Sequence, residues 1–121
     1  MGIKNEQRQV SCIIPAYNEE KRIGAVIEAV KNNPLIGEII VVNDGSTDNT
    51  ENVVRQFRGI WLINCKSNAG KTCALMKGIN ASKFKLVCLL DADLDDLKKR
   101  DINNLLKPVI FEGFDISISH R

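Results

Sequence analysis

The stretch LVCLLDADLDD, residues 86–96, joins a short apolar run to a group of carboxylates. The apolar run predicts a strand that is buried on both faces, which is typical of parallel sheets. Asp91 and Asp93 stand where the chain leaves this strand. In parallel sheets covered by helices, ligands bind beyond the carboxyl ends of the strands. The stretch therefore indicates an α/β fold and the edge of the sheet where a site should lie.

Apolar runs and helical patterns alternate along the rest of the chain. Predicted strands cover Val10–Ile14, Ile39–Val42, Ile60–Asn64, Leu86–Leu90 and Ile116–Ser119. Four helices are predicted. The first has its apolar face over residues 23–30 and ends at Asn33-Pro34, the second runs from about Asp48 to Phe57, the third follows Gly70, and the fourth has its apolar face over residues 102–109. This repetition predicts a mostly parallel, Rossmann-like sheet in a three-layer α/β/α sandwich. Asn18 is predicted to cap the first helix, and Ser46 or Thr47 the second.

The composition is typical of one soluble globular domain, with 121 residues, 44% apolar and 26% charged. The formal net charge is only +2, so there is no electrostatic case for binding nucleic acid. Residues 1–9 are predicted to be a polar tail rather than a signal peptide, and residues 10–121 one domain. The cysteines lack zinc-site spacing, which indicates free thiols in the cytoplasm. No apolar run is long enough to cross a membrane.

Asp91 and Asp93 are candidate ligands of one divalent cation. Mg²⁺ and Mn²⁺ prefer oxygen ligands and keep positions open for substrate phosphate. Without a cation the paired carboxylates would repel each other, and one would take up a proton. The alternative is that both are solvated loop acids or helix caps. Their position after a buried strand favours the metal site.

Loops after the other strands carry further candidates. In VVNDGSTDNT, Asp44 can accept a hydrogen bond from a base or a ribose, while Gly45 is explained by a sharp turn. In PAYNEE, Tyr17 either offers a flat ring to a nucleoside or is a plain surface aromatic residue. In NAGKT, Lys71 is either a cation near a diphosphate or a solvated lysine at a helix start.

The NAGKT loop has a rival interpretation as the end of a Walker A loop, with LVCLLD as a Walker B strand. A P-loop needs glycine five residues before its Gly-Lys pair, so that the loop can bend around phosphates. Counting back from Gly70 reaches Cys65, and residues 65–69 contain no glycine. The sequence therefore disfavours a P-loop ATPase.

Four stretches together resemble glycosyltransferase family 2, the inverting enzymes with the GT-A fold: IIPAYNEE, EIIVVNDGSTDNT, NAGKTCALMKGINAS and LVCLLDADLD. They stand in the family's order, and their spacing is most similar to polyprenyl-phosphate mannose synthases and glucosyl-phosphoglycerate synthases. The resemblance implies transfer of a hexose from a UDP- or GDP-linked donor, with Mg²⁺ or Mn²⁺ as cofactor. The implied acceptor is a polyprenyl phosphate or a phosphorylated small molecule.

The resemblance also implies roles for single residues. The donor-binding set would be Pro15, Ala16, Tyr17, Glu19, Asp44, Lys71, Asp91, Ala92 and Asp93. Asp44 would contact the base, and Lys71 would lie near the nucleotide. Asp91 and Asp93 would hold the ribose and the cation. Asp95 falls where mannose synthases of this branch carry a glutamine near the metal, and it is a candidate third ligand.

Three departures from the family pattern bear on function. Asn43 stands where many members have a second aspartate. The basic residues 98–100 replace a proline-rich turn, and we favour a solvated helix start over contact with an acceptor phosphate. The family's general base and acceptor pocket lie beyond the fourth helix, so we expect an incomplete GT-A domain with no base that can be named. His120 is not favoured for that role.

Two other functional classes stay open at this point. A non-catalytic nucleotide-binding module would share every donor contact. A receiver-type phosphoacceptor domain also places acids at strand ends, but it leaves PAYNEE unexplained.

Overall fold

Parallel strands and helices alternate in the computed structural model, which describes residues 10–92 and the backbone of residues 116–118. The strands are β1 (Val10–Ala16), β2 (Ile36–Asp44), β3 (Ile60–Cys65), β4 (Leu86–Leu89) and β5 (Ile116–Ile118). The helices are α1 (Ile23–Val30), α2 (Thr50–Arg55) and α3 (Lys71–Ala81). The predicted α/β fold is confirmed, with shifts at the ends of the elements.

The strands lie in the order β3-β2-β1-β4-β5, and every neighbouring pair is parallel. From β1 the chain steps outward to β2 and β3, then crosses to β4 on the other side. The pairing of β1 with β4 ends at Ile13 and Leu89, whereas its pairing with β2 continues to Ala16 and Asn43. The central strands β1 and β4 therefore separate at the switch in strand order, where such sheets bind ligands.

Helices cover both faces of the sheet, as its continuous apolar strands predict. On one face, α1 and α2 pack on a core that includes Ile14 and Val41. On the other face, α3 packs on Ile13 and Val42. Gly78 of α3 approaches so closely that a Cβ there would stand 2.5 Å from Cγ2 of Ile13. Helix α3 is therefore seated tightly on the centre of the sheet.

The predicted helix caps are wrong. α1 begins only at Ile23, and Asn18 lies in the preceding loop with a left-handed φ of 54°. At the start of α2, Oδ1 of Asp48 accepts the N–H of Thr50 at 2.9 Å. The predicted cap, Ser46 or Thr47, does not fill this role. Asn18, Ser46 and Thr47 instead take part in hydrogen bonds between the first and second loops, which the local sequence pattern does not predict.

Several predictions fall outside the described residues. These are the tail 1–9, the helix over 102–109, Asp93, Asp95, the basic residues 98–100 and His120. Within the described part of the chain, no helix has the length and apolar character needed to cross a membrane.

Candidate functional site

A cleft of about 200 Å³ lies at the carboxyl ends of the strands, at the switch in strand order. Its lining consists of Pro15, Ala16, Tyr17, Glu19, Asp44, Asn68, Lys71 and Ala92. Of the described residues that the family resemblance implied, only Asp91 is absent from this lining, and it contacts Lys71. The structure therefore brings together residues from four loops that are far apart along the chain.

Asn18 ties the first loop to the second. Its Oδ1 accepts the backbone N–H groups of Thr47 at 2.8 Å and Asp48 at 3.3 Å. Its own N–H donates to Oγ of Ser46 at 2.9 Å. The left-handed conformation, which asparagine tolerates better than most residues, turns the side chain back toward these partners. The neighbouring Tyr17 is left 43% exposed at the cleft.

A second set of bonds joins the same two loops. The N–H of Glu19 donates to Oγ1 of Thr50 at 2.9 Å, and the N–H of Glu20 donates to Oδ2 of Asp48 at 3.3 Å. Burial alone would raise the pKa of Asp48. The hydroxyl and N–H of Thr50, together with the N–H of Glu20, outweigh that effect and hold the pKa below its ordinary value. The ionised form of Asp48 is therefore the one that fastens the loops.

Asp44 anchors the third loop. It is 4% exposed, and its two oxygens accept the N–H groups of Ala69 and Gly70, each at 3.0 Å. A P-loop would present such N–H groups to phosphate. Here they are directed at a carboxylate, which weighs further against the ATPase interpretation. The sequence suggested only a base or ribose contact for Asp44 and missed this anchoring role.

Gly45 lets the second and third loops touch. Its φ is +75°, and a Cβ there would stand 2.5 Å from the backbone N of Asn68. Any residue larger than glycine at this position would force the third loop to move. The turn that explained Gly45 from sequence is thus only part of its role, because the glycine also sets the position of Asn68 in the cleft.

Lys71 and Asp91 form an ion pair across the switch in strand order. Nζ of Lys71, the first residue of α3, lies 2.6 Å from Oδ1 of Asp91, which follows β4. The lysine side chain is 65% exposed and the aspartate side chain 27% exposed. The pair joins the third loop to the fourth, which completes the set of four loops around the cleft.

The carboxylate of Asp91 is suited to a hard cation, and the lysine ammonium already stands against it as one positive charge. Among the described residues, no group of three His, Cys, Asp or Glu side chains could hold a metal ion. The other two proposed ligands, Asp93 and Asp95, lie outside the described residues. Of the three predicted ligands, the described part of the chain thus contains one, Asp91.

Sequence reasoning missed two features of this region. Asn68 lines the cleft, and its Oδ1 accepts the N–H of Gly70 at 3.0 Å. Asn43 donates from Nδ2 to Oδ1 of Asn64 at 3.0 Å, and its own Oδ1 accepts the N–H of Ser46 at 3.3 Å. The sequence contained a signal for both features, because asparagine side chains near Gly or Ser often form hydrogen bonds with the backbone of a turn.

The family model described as glycosyl transferase family 2 matches residues 11–121. Curated relatives include an uncharacterized glycosyltransferase of Escherichia coli, 40% identical over 69% of this chain and 22% of its own length. A dolichyl-phosphate beta-glucosyltransferase of Trichomonas vaginalis is 34% identical over 81% of this chain and 36% of its own length. This chain therefore spans well under half the length of either relative.

Solved structures of glucosyl-3-phosphoglycerate synthase from Mycobacterium tuberculosis share the fold. The complex with UDP has a TM-score of 0.76 and 28% identity, covering 88% of this chain and 41% of the other. The complex with Mn²⁺, UDP-glucose and phosphoglyceric acid gives the same values. The complex with Mg²⁺ and UDP has a TM-score of 0.74, with 28% identity over 88% of this chain and 42% of the other.

Proposed function

This chain belongs to glycosyltransferase family 2, and we propose that its cleft binds the donor from which a hexose is transferred, with inversion, to an acceptor. One observation carries the proposal. Residues from four separate loops, each following a strand, meet in one cleft at the switch between β1 and β4. Sheets of this type bind nucleotides at that place.

The nucleoside would lie against the first and second loops. Tyr17 presents an exposed ring, and Pro15 and Ala16 form a small, rigid wall next to it. Asp44 would accept an N–H of the base. Its bonds to the third loop leave this possible, because each carboxylate oxygen has two lone-pair sites. The carboxylate of Asp44 would then both bind the base and anchor the adjacent third loop.

The diphosphate would lie between Lys71 and Asp91. The ammonium of Lys71 is exposed and can pair with a phosphate oxygen. Asp91, with Asp93 and Asp95 as further candidates, would hold Mg²⁺ or Mn²⁺. When bound, such a cation neutralises the charge that develops on the departing nucleoside diphosphate. A solved relative in complex with Mn²⁺ and UDP-glucose, and one in complex with Mg²⁺ and UDP, support this assignment.

We favour a UDP-linked donor over a GDP-linked one, since solved relatives include complexes with UDP and with UDP-glucose. For the acceptor we propose a polyprenyl phosphate or a phosphorylated small molecule. Relatives named for dolichyl phosphate and a solved relative in complex with phosphoglyceric acid support these two classes. Transfer of this kind would take place in the cytoplasm or at the cytoplasmic face of a membrane.

Calorimetric titration of the chain with UDP and GDP, each with and without Mn²⁺, tests the proposal. We expect UDP to bind more tightly with Mn²⁺ present. Asp44→Asn should weaken UDP binding by about tenfold or more, because a charged acceptor and a loop anchor are lost together. Glu51→Gln is the matched control, since Glu51 pairs with Arg55 on the exposed surface of α2.

Two results of these titrations would contradict the proposal. One is the absence of binding for both nucleotides in the presence of Mn²⁺. The other is binding of ATP in preference to UDP and GDP, which would restore the P-loop interpretation. A parallel assay of UDP release from UDP-glucose distinguishes a chain that turns over its donor from a module that only binds it.

A further inference from the structure

The ion pair between Lys71 and Asp91 places the chain's own cation where the proposed divalent ion would contact the protein. The 2.6 Å distance is that of a direct charge-assisted hydrogen bond. With nothing else in the cleft, the two charges cancel. A divalent cation approaching Asp91 meets a carboxylate that is already paired, and a positive charge beside it.

The backbone next to Lys71 is anchored, while its side chain is largely exposed. Asp44 fixes the N–H groups of Ala69 and Gly70, directly before Lys71 at the start of α3. The side chain itself is 65% exposed on a flexible four-carbon stem. The ammonium can therefore change partners without any movement of the loop.

We propose that Lys71 is a displaceable counter-ion that holds Asp91 until a divalent cation and a nucleoside diphosphate enter together. The inference rests on the proposed function. On donor binding, the ammonium leaves Asp91 and pairs with the diphosphate, while the carboxylate is released to the cation. Lys71 thus opposes the metal when the nucleotide is absent and favours the nucleotide when the metal is present.

This arrangement couples the two ligands, and coupling of binding is reciprocal. Without nucleotide, the metal must displace an ion pair, so its affinity is lowered. With nucleotide, the ammonium is already engaged by phosphate and the cost disappears. Lys71 therefore increases the factor by which UDP tightens Mn²⁺ binding, beyond the effect of the bridging phosphates alone.

Electron paramagnetic resonance of free Mn²⁺, titrated with the chain in the absence and presence of UDP, tests the inference. Lys71→Met should tighten Mn²⁺ binding about two- to fivefold without UDP, the range expected for losing a partly exposed ion pair. It should weaken UDP binding and reduce the enhancement of Mn²⁺ affinity by UDP. Lys71→Arg should restore the wild-type pattern, because guanidinium also pairs with carboxylate and phosphate.

Two comparisons separate this role from a general change in charge or structure. Lys66→Met removes the same charge from an exposed position in the same loop, outside the cleft lining, and should leave Mn²⁺ affinity unchanged. In an Asp91→Asn background, Lys71→Met should no longer tighten Mn²⁺ binding, since the pair is already broken. The far-ultraviolet circular dichroism of Lys71→Met should match that of the wild type.

The inference is overturned if Lys71→Met binds Mn²⁺ no more tightly than the wild type without UDP. It is also overturned if Lys66→Met tightens Mn²⁺ binding by the same factor, because the loss of one positive charge anywhere in the loop would then explain the effect. A wild-type chain that binds neither Mn²⁺ nor UDP would refute the proposed function itself, and the inference with it.

Discussion

Buried acids occur at both ends of the sheet, but their partners differ. At the amino ends, Oε2 of Glu38 accepts the hydroxyl of Ser11 and the N–H of Lys83, each at 2.6 Å. Oγ of Ser11 in turn accepts the N–H of Phe84 at 3.3 Å. This cluster joins β1, β2 and the segment that leads into β4 by hydrogen bonds among the three. Its role is structural.

At the carboxyl ends of the strands, carboxylates also anchor the chain, but a cleft remains between the loops. Asp44 fastens the third loop and Asp48 fastens the first loop to the second, yet Tyr17, Lys71 and Asp91 remain accessible. The comparison teaches that a buried carboxylate does not by itself identify a site. The informative feature is a loop that a carboxylate anchors while the neighbouring side chains of the loop stay accessible at a cleft.

The largest effect that we expect on stability is at the amino end. Glu38→Ala leaves the buried hydroxyl of Ser11 and the partly buried N–H of Lys83 without their acceptor. The free energy of unfolding should fall by about 3 kcal/mol, since an unsatisfied buried donor costs about 1–3 kcal/mol and the loss of the second bond adds to this. UDP affinity of the folded chain should stay within about twofold of the wild type. Urea unfolding and calorimetric titration measure the two quantities.

Glu38→Gln sharpens the same test. Its amide oxygen keeps one acceptor while the charge is lost, so the destabilisation should be smaller than for the alanine variant. A substantial loss of UDP affinity in either folded variant would contradict the assignment of this end of the sheet to stability alone.

The next largest effect is expected at the carboxyl end, where Gly45→Ala should damage both stability and binding. The new Cβ would stand 2.5 Å from the backbone of Asn68, in addition to the strain of a φ of +75°. We expect a loss of about 2–3 kcal/mol in unfolding free energy. UDP affinity should fall by about tenfold, because the displaced loop carries Asn68 and Lys71.

Gly59→Ala is the matched control for that variant. Gly59 has a similar φ of +77°, but a Cβ there would meet no atom within 4 Å. It should cost only the backbone strain of about 1 kcal/mol and leave UDP affinity unchanged. Equal effects of the two alanine variants on UDP affinity would show that contact with the third loop has no part in binding.

The smallest effect is expected at Asp48, where pH provides the test. The folded-state pKa of Asp48 is lowered, so its contribution is complete above the unfolded pKa of about 3.9. The contribution is lost as the pH falls through the lower folded-state value. Asp48→Asn should destabilise the chain by about 1 kcal/mol at neutral pH, and the difference from the wild type should vanish in acid.

Urea unfolding over a series of pH values measures this difference, with Glu51→Gln as an exposed-acid control. Glu51 forms a pair with Arg55 on the surface of α2, worth only a few tenths of a kcal/mol. A difference between Asp48→Asn and the wild type that grows toward low pH would have the wrong sign. It would show that Asp48 does not fasten the loops in its ionised form.

The sequence alone determined the strands, the helices and the loops that carry the site. Apolar runs such as IIVV of β2 and helical spacing such as that of α1 are local patterns, and each records which face must be buried. The rule that ligands bind beyond the carboxyl ends of parallel strands then selected the loops that contain Tyr17, Asp44, Lys71 and Asp91.

Only the tertiary structure decided which partner each polar side chain takes. Asn18 and Asp48 are both ordinary cap residues, yet Asn18 bonds to the second loop, whereas Asp48 accepts the N–H of Thr50 at the start of α2 and also the N–H of Glu20 in the first loop. The bond between Lys71 and Asp91 depends on α3 lying close to β1, beside β4. The reason is physical: burial leaves a periodic trace along the chain, whereas a hydrogen bond between distant loops depends on distances that exist only after folding.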